Sequence, residues 1–317
     1  MLGEKKPQKS FFDMAAEQRV SNHFLLKIDR LIDWKPLQKE LSKLYHPSLG
    51  RPSYPPLVMF KALLLQQWYN LSDRQLEESI RDRISFLRFL GLSIEGPVPD
   101  ETTICRFRAK LCEVGLAEKL FRLISDQLEQ KGLLLKKGSI IDATLIEAAR
   151  RPPAKGSPAR DPDAAYTVRD KKPFYGYKAH VTLDHKSEFI REVKVTPANV
   201  HDSCMFDEMI QGDEEAVFAD KGYWRESRKH TLRVFGIYCG IMDRAKRNAP
   251  LTRRQSKRNR RLSRVRARIE KVFGTLKRIY GMVRVRYVGL LKNRGHFYIL
   301  AAALNLKRMV KLCEAGV

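Results

Sequence analysis

Three acidic residues, Asp142, Asp220 and Glu270, have the type and setting that phosphodiester chemistry requires. Asp142 ends the short apolar run SIID, and Asp220 ends a second run, AVFAD. Glu270 is the only acid in RARIEKVFGTLKR, residues 266–278. A pair of divalent cations activates water and stabilises the leaving oxygen of a phosphodiester. Because Mg²⁺ takes carboxylate oxygens, the three acids predict a site for two Mg²⁺ ions, with Mn²⁺ also tolerated.

Each acid also has a plainer interpretation. Aspartates that follow strands often begin turns or cap helices. Glu270 could simply pair with Arg266 one helical turn away, which would contribute only a few tenths of a kcal/mol. The spacing of apolar residues predicts an amphipathic helix here. Arg266, Glu270 and Lys277 share a second face at the margin of that stripe, so Glu270 is expected to be half-buried. The stripe consists of Leu262, Val265, Ile269, Val272, Leu276 and Ile279.

The surroundings of Glu270 are strongly basic. From Asp243 to Arg278 the chain carries 15 Lys/Arg and two acids, and the whole chain has a net charge of +25. Such a charge favours a polyanionic partner, most often a nucleic acid. The basic segment at 244–268, which includes Arg268, is interpreted as a track for DNA phosphates. The alternative is an ordinary solvated face.

Other candidates lie near the aspartates. Lys178 and His180 alternate on a predicted strand, and Lys178 is a candidate phosphate ligand. Tyr223 and Trp224 follow Asp220 and could stack on an unpaired base, although aromatic residues after a strand are more often part of the core. His201 and Asp202 in NVHDS could line the active site, although for Asp202 a cap of the following helix is the favoured interpretation.

The elements predict an α + α/β chain of two domains. Residues 1–135 show helical periodicity and are expected to form an all-helical DNA-binding or assembly domain. A helix begun by Asp100 carries Arg106, Arg108 and Lys110, which could enter a DNA groove or face solvent in an ordinary bundle. Residues 136–317 contain short strands typical of a central mixed sheet. The proline-rich stretch 151–174 is expected to be a flexible loop.

Composition restricts the class of protein. The five cysteines form no C-x-x-C pair, which argues against a zinc site or a disulfide framework. The N-terminus lacks the apolar core of a signal peptide. The apolar run at 297–306 is too short to span a membrane and is expected to be a buried helix. These features predict a cytoplasmic protein without a membrane partner.

Several stretches together resemble the DDE transposases of bacterial insertion sequences, in insertion-sequence family five. Arg266, Glu270 and Lys277 match the last three positions of the family signature Y-x2-R-x3-E-x6-K, and Ser263 stands in place of the tyrosine. DKGYW at 220–224 and IIDATLIEA at 140–148 resemble the blocks around the two aspartates. The likeness runs in order from about residue 20 to 310, through RDP, YGYKAH and ANVHDS among others.

The resemblance implies a ribonuclease H-like catalytic domain with Asp142, Asp220 and Glu270 as metal ligands. It implies that Arg266 and Lys277 bind DNA near the scissile phosphate. It also implies nicking at the element ends and attack by the freed 3′-hydroxyl on target DNA, in a bacterial nucleoid setting. Since this reaction joins two ends, a homodimer or larger assembly on DNA is expected. Two alternatives remain: a silent DNA-binding protein, either a domesticated transposase or a repressor, and a hydrolytic nuclease of the same fold.

Overall fold

The computed structural model describes residues 24–45, 53–154, 157–246 and 249–315. The chain divides into two compact units, Met1–Lys131 with Tyr298–Val317, and Gly132–Phe297. The sequence had placed the boundary after residue 135 and assigned 298–317 to the second domain. The final segment joins the helical unit because its apolar residues pack there. Tyr298, for example, lies against Phe121, and Trp68 donates a hydrogen bond to the Ala303 carbonyl.

The first unit is helical throughout its described regular elements. Its helices are α1 Phe24–Leu31, α2 Lys35–Ser42, α3 Pro56–Tyr69, α4 Asp73–Asp82, α5 Ile84–Leu90, α6 Glu101–Glu113 and α7 Leu116–Gln130. Helix α3 is apolar on nearly all sides and is buried along most of its length. Its Lys61 is also buried and is neutralised by Asp29 at 2.5 Å. An apolar helix surrounded by amphipathic ones is the expected arrangement of such a bundle.

Helix starts in this unit agree with the sequence. Asp100 caps α6, as predicted, by accepting from the Thr103 amide, and Ser72 and Gln75 form a capping box at α4. Arg108 on α6 is 5% exposed and pairs with Asp73, so it stabilises the bundle instead of facing a DNA groove. Arg106 on the same helix is exposed.

The second unit is built on a six-stranded mixed sheet. Its strands are β1 Ser139–Glu147, β2 Ala165–Arg169, β3 Lys172–Asp184, β4 Ile190–Pro197, β5 Ala216–Ala219 and β6 Tyr238–Ile241. The order β3-β1-β5-β6 runs across the sheet, and β4 and β2 pair with β3. β1 is antiparallel to β3 but parallel to β5, and β5 is parallel to β6. Along β4-β3-β1-β5-β6, three antiparallel strands are followed by two parallel ones, which is the predicted ribonuclease H-like arrangement, and β2 is an additional antiparallel strand on β3.

The prediction of a flexible loop over residues 151–174 is wrong for the second half of that stretch. Residues Ala165–Arg169 form β2, which pairs with the start of β3 in a hairpin. Asp170 and Lys171 make the turn, with φ angles of 50° and 63° that suit a two-residue hairpin connection. Before β2, Asp161 is fully buried and accepts a hydrogen bond from the Tyr177 hydroxyl at 2.5 Å. The RDP stretch is therefore fixed to the sheet.

Three helices complete the second unit and the C-terminal segment: α8 Glu226–Val234, α9 Arg253–Arg278 and α10 Leu290–Glu314. Helix α9 contains the predicted amphipathic stripe, with Leu262, Ile269 and Leu276 buried. Ile279 lies past the helix end and is 55% exposed, so it does not belong to the stripe. Within the described ranges, every helix is too short or too polar to cross a lipid bilayer.

Candidate active site

Asp142 and Asp220 lie side by side at the open end of the parallel strand pair. The pairing of β1 with β5 ends at Ile141 opposite Ala219, so Asp142 is the next residue of β1 and Asp220 directly follows β5. The prediction that Asp142 ends its strand is wrong, because β1 continues to Glu147 along β3. Only β5 turns away at this level. The divergence opens the crevice in which mixed sheets hold their ligands.

Arg266 bridges the two aspartates. Its Nη2 lies 2.7 Å from Oδ2 of Asp142, and its Nη1 lies 3.5 Å from Oδ1 of Asp220. The Arg266 side chain is 12% exposed, so the guanidinium is largely removed from water. A cation in this position offsets the repulsion that two neighbouring carboxylates would otherwise experience.

The surroundings of Asp142 act on its ionisation in opposite directions. Burial raises the pKa of Asp142, since desolvation disfavours the carboxylate. The Arg266 charge and the Ala143 amide, which donates to Oδ1 at 2.9 Å, lower that pKa, while the charge of Asp220 raises it. The net shift is upward. Asp142 is therefore an acid that gains from any additional cation in the crevice.

Glu270 lies on α9 one turn beyond Arg266. Residues four apart share a helix face, so Glu270 projects from the same side of α9 as the arginine that reaches the aspartates. The expectation that Glu270 is half-buried is wrong, because its side chain is exposed. Helical periodicity determines the side of α9 on which Glu270 lies. The burial of Glu270 depends on the distance between α9 and the sheet, which periodicity does not give.

The two aspartates fit a hard divalent cation in their chemistry and position. Both present carboxylate oxygens on adjacent strand positions, and Mg²⁺ and Mn²⁺ take such donors. Across the described ranges, however, no three acidic, histidine or cysteine side chains are grouped closely enough to hold one ion. The Arg266 guanidinium compensates one of the two negative charges of this pair, and the Glu270 side chain lies outside it.

Two other basic residues of the predicted site lie farther along α9. Lys277 is half-buried, and burial and the nearby charge of Arg169 lower its pKa. No carboxylate contributes to this shift, so an incoming anion would relieve the unfavourable setting of Lys277. Arg268 turns to the other side of α9, where it donates to the His185 carbonyl and lies 3.9 Å from Glu188. Arg268 therefore holds α9 against the β3–β4 turn.

Lys178, which lies on β3, forms an ion pair and a hydrogen bond with residues of the segment that follows β4. Nζ of Lys178 lies 2.7 Å from Asp202 and donates to the Val200 carbonyl. A phosphate at Lys178 would have to compete with Asp202. The expected helix cap at Asp202 is wrong, since the His201 ring accepts from the Ser203 amide and caps the 3-10 turn. Asp202 is thereby free to pair with the lysine.

Tyr223 and Trp224 occupy different environments. Tyr223 is 1% exposed and packs against Phe206 in the core beneath the sheet. In this conformation it is closed to a DNA base. Its buried hydroxyl has no hydrogen-bond partner among the described residues. Trp224 is half-buried, and Nζ of Lys229 lies 5.4 Å from its ring centroid, so one ring face already has a cation.

Sequence reasoning missed the residue that anchors α9. Asp243, just past β6, is 7% exposed and lies 2.9 Å from Arg258 and 3.3 Å from Lys229. Its backbone exchanges two hydrogen bonds with the Asn259 side chain. The signal was present, because Asp243 is the other acid of the basic stretch and follows an apolar run.

Arg258 also binds the backbone of β6, the outer strand on this side of the sheet. Arg258 donates to the carbonyls of Cys239 and Ile241, which point away from β5. Asp243 and Arg258 together thus fix the first half of α9 along the edge strand, and this position directs Arg266 into the crevice.

Comparison with known proteins gives two family matches. Residues 14–110 match a family described as "Transposase domain (DUF772)", and residues 134–306 match "Transposase DDE domain". The second match covers more than half of the chain and contains all three predicted acids.

Comparison with solved structures returns, among others, a piggyBac transposase synaptic complex with hairpin DNA. It is 10% identical, with a TM-score of 0.49 over 93% of this chain and 76% of that chain. A pre-cleavage Mos1 transpososome is 13% identical, with a TM-score of 0.21 over 86% and 82%. A Mos1 mariner paired-end complex with Mn is 13% identical, with a TM-score of 0.20 over 98% of both chains.

Proposed function

This chain belongs to the transposase DDE domain family, and we propose that it is the transposase of a bacterial insertion sequence, of insertion-sequence family five. In this proposal it binds the terminal repeats of the element, cuts one strand at each end and joins the freed 3′-hydroxyl to target DNA. Enzymes of the family use divalent metal ions, and we assign Mg²⁺ to this chain, as two ions, with Mn²⁺ as a substitute.

One observation carries the proposal. The crevice brings Asp142 and Asp220, which are 78 positions apart in sequence, to equivalent positions on neighbouring parallel strands. A structural role for either residue alone would not require this pairing. Two partly buried carboxylates beside each other are unfavourable unless cations are supplied, and Arg266 supplies only one positive charge to the two. Their placement is therefore best explained by a cation-dependent reaction in the crevice.

The residues of the chain then take distinct roles. Asp142 and Asp220 would hold the metal ions, and Glu270 would complete their ligands. When bound, such ions activate the attacking oxygen and stabilise the leaving oxygen. Arg266 and Lys277 would contact the phosphates of the DNA end, since both present cations on the Glu270 side of α9. Burial of Asp142 excludes water from one side of the pair.

Joining two element ends to one target requires two active sites. We therefore propose that the protein acts as a homodimer or larger assembly on DNA. Cleavage that is linear in protein at limiting ends, with only monomer complexes observed, would contradict this part of the proposal.

A catalytically silent binding protein and a hydrolytic nuclease are the competing functions. The first would conserve the basic surface without needing the paired aspartates. The second would cut DNA without joining it. The presence of both aspartates in one crevice favours an enzyme over the silent protein, and the choice between joining and hydrolysis depends on the products.

The test uses the DNA that flanks the gene as substrate. Wild-type protein and the Asp142→Asn variant are incubated with this DNA in Mg²⁺, in Mn²⁺ and in EDTA. The expected result is metal-dependent nicking at the element ends and joined products with a target plasmid, both lost in the variant. Tight binding without cutting by the wild type would support the silent protein. Cutting without joined products would support the nuclease.

A further inference from the structure

Helix α9 carries a second row of cations that faces away from the crevice. Successive residues of a helix turn by about 100°, so residues nine apart lie on opposite sides. Lys257 is nine residues before Arg266 and therefore points away from the aspartates. The same outward direction recurs along the helix at spacings of 3, 4 and 7. We call this row the outward stripe. It consists of Arg253, Lys257, Arg260, Arg264, Lys271 and Arg278.

The structure confirms that this row faces solvent. All six side chains are exposed, whereas Leu262, Ile269 and Leu276 between them are buried against the sheet. In the described part of the chain, none of the six side chains makes an ion pair with an acid. Many other cations of this unit are used internally, as Arg258 is with Asp243.

The orientation of α9 is fixed from two sides. Arg266 contacts Asp142, near the carboxyl end of β5. Arg268 donates to the His185 carbonyl, which lies beside the first residues of β1. These two arginines flank the buried face of the helix. The face that carries the outward stripe is therefore held away from the sheet, and rotation of α9 would break both contacts.

The outward stripe is unfavourable for the helix itself. Cations at a helix N-terminus oppose the macrodipole, and α9 has no acid in its first turn. Arg253 and Lys257, and Arg260 and Arg264, are like-charged pairs four residues apart, which repel each other. A sequence that only needed a stable helix would place acids here. The row is thus retained for something outside the helix.

We propose that the outward stripe binds the backbone of a second DNA duplex, separate from the strand that enters the crevice. The inference rests on the proposed function and adds the surface for the second DNA. The first four cations of the row span about 16 Å of helix, a straight array suited to a stiff duplex. Because duplex DNA resists sharp bending, one short segment cannot contact both Arg266 and the opposite face of α9.

The binding mode follows from the side chains. A straight row of Lys and Arg side chains on one helix face matches the regularly spaced phosphates of a duplex, and phosphate contacts carry no sequence information. The second duplex is therefore bound with little sequence preference, as target DNA of varied sequence would require. A change of its sequence should leave its affinity unchanged within about twofold.

The experiment measures DNA binding in EDTA, so that no cutting occurs. Full-length wild type is compared with the triple variant Lys257→Ala, Arg260→Ala and Arg264→Ala. The control variant removes three exposed cations elsewhere, Lys35→Ala, Lys39→Ala and Lys137→Ala. Fluorescence anisotropy on a short unrelated duplex gives the salt dependence. The triple variant should lower the slope of log affinity against log salt by about 2.7, since each phosphate contact contributes about 0.9.

A second measurement separates the two DNA surfaces. Protein is first loaded with a duplex of the element end, and capture of a labelled unrelated duplex is then followed. The triple variant should keep the first duplex and lose the second, with a melting temperature no lower than that of wild type. An unchanged salt slope, or equal loss of both duplexes, would overturn the proposal. Absence of metal-dependent cutting would instead count against the proposed function alone, because these assays contain no metal.

Discussion

The guanidinium of Arg266 lies 2.7 Å from Asp142 and 3.5 Å from Asp220, so one cation bridges two neighbouring strands of the sheet. A metal ion would use the same carboxylate oxygens. In the proposed reaction, Arg266 and a metal ion would therefore compete for these oxygens in the protein without DNA. A phosphate of bound DNA would draw the guanidinium away and leave the oxygens open.

Replacing Arg266 by Ala should strengthen Mn²⁺ binding to the DNA-free protein. A charged hydrogen bond contributes roughly 1.5–3 kcal/mol, so the gain should be about tenfold or more. Mn²⁺ affinity can be measured by electron paramagnetic resonance or calorimetry. Arg261→Ala removes an exposed cation of the same helix and is the control. Equal affinities in wild type and Arg266→Ala would show that the guanidinium does not compete.

Replacing Glu270 by Gln should stop DNA cutting and leave DNA binding intact. The amide is a poorer ligand for a hard cation, and loss of several kcal/mol of metal assistance lowers the rate about 1000-fold. A nicking assay and a binding assay on the same DNA measure both effects. Glu113→Gln alters an exposed acid of the helical unit and should cut like wild type. Parallel loss of binding and cutting would argue against a metal-ligand role.

Replacing Asp243 by Asn should loosen the first half of α9. Arg258 and Lys229 would lose their shared anion, and the destabilisation should be about 2–3 kcal/mol for this partly buried group. Urea unfolding measures the stability. Hydrogen exchange should show reduced protection of residues 253–262 before other parts of the unit. Normal protection there would mean that the Asn259 contacts suffice to hold the helix.

Tyr223→Phe should preserve or raise stability, by up to about 1 kcal/mol. The buried hydroxyl lacks a partner among the described residues, so its removal relieves an unpaired polar group. Thermal unfolding of wild type and variant tests this. A core role also predicts that DNA affinity stays at the wild-type value. A large loss of affinity with unchanged stability would instead support base stacking by this residue.

His180 should make stability depend on pH below neutrality. Burial lowers the pKa of His180 to about 4, and the side chain is fully buried beside Thr196. In the unfolded chain the ring has a pKa near 6.5, so it takes up a proton there first. Stability is therefore complete above about pH 6.5 and is lost as pH falls towards 4, by up to about 3 kcal/mol.

The measurement for His180 is urea unfolding at several pH values between 7.5 and 4.5. The loss of stability should be smaller in His180→Gln, which has no titrating ring. His230→Gln changes an exposed histidine and should titrate like wild type. An identical pH profile in wild type and His180→Gln would show that another group is responsible.

The sequence could predict the pairing of the aspartates because two short apolar runs each ended in an acid. Acids that follow the paired segments of two parallel neighbours lie at the same edge, although β1 itself continues past Asp142 along β3. The helical spacing of α9 likewise predicted that Arg266 and Glu270 share a side. Periodicity gives the angle of a residue around the helix axis, but not the distance between that axis and the sheet. For that reason the exposure of Glu270 was not predictable.

The hairpin of β2 and β3 could not be predicted from the sequence, for a different reason. No residue of β2 is buried, and its large apolar residues Tyr166 and Val168 are exposed, so the strand has no core-facing apolar pattern. Prolines before it suggested a loop. Asp243 was overlooked because a strand-end acid next to many cations resembles an ordinary surface pair. Its depth results from Asn259 and Arg258, fifteen or sixteen residues later, and no local pattern contains that information.

Arg258 has a consequence for how copies of this protein meet. Strand β6 is the outer strand of the sheet in the described part of the chain, and an outer strand offers free carbonyls on which a foreign strand can assemble. Arg258 already occupies the two outward carbonyls of β6, at Cys239 and Ile241. These contacts oppose the pairing of β6 with a strand of another copy of the protein. Any pairing of two copies through β6 would first have to displace Arg258 from these carbonyls.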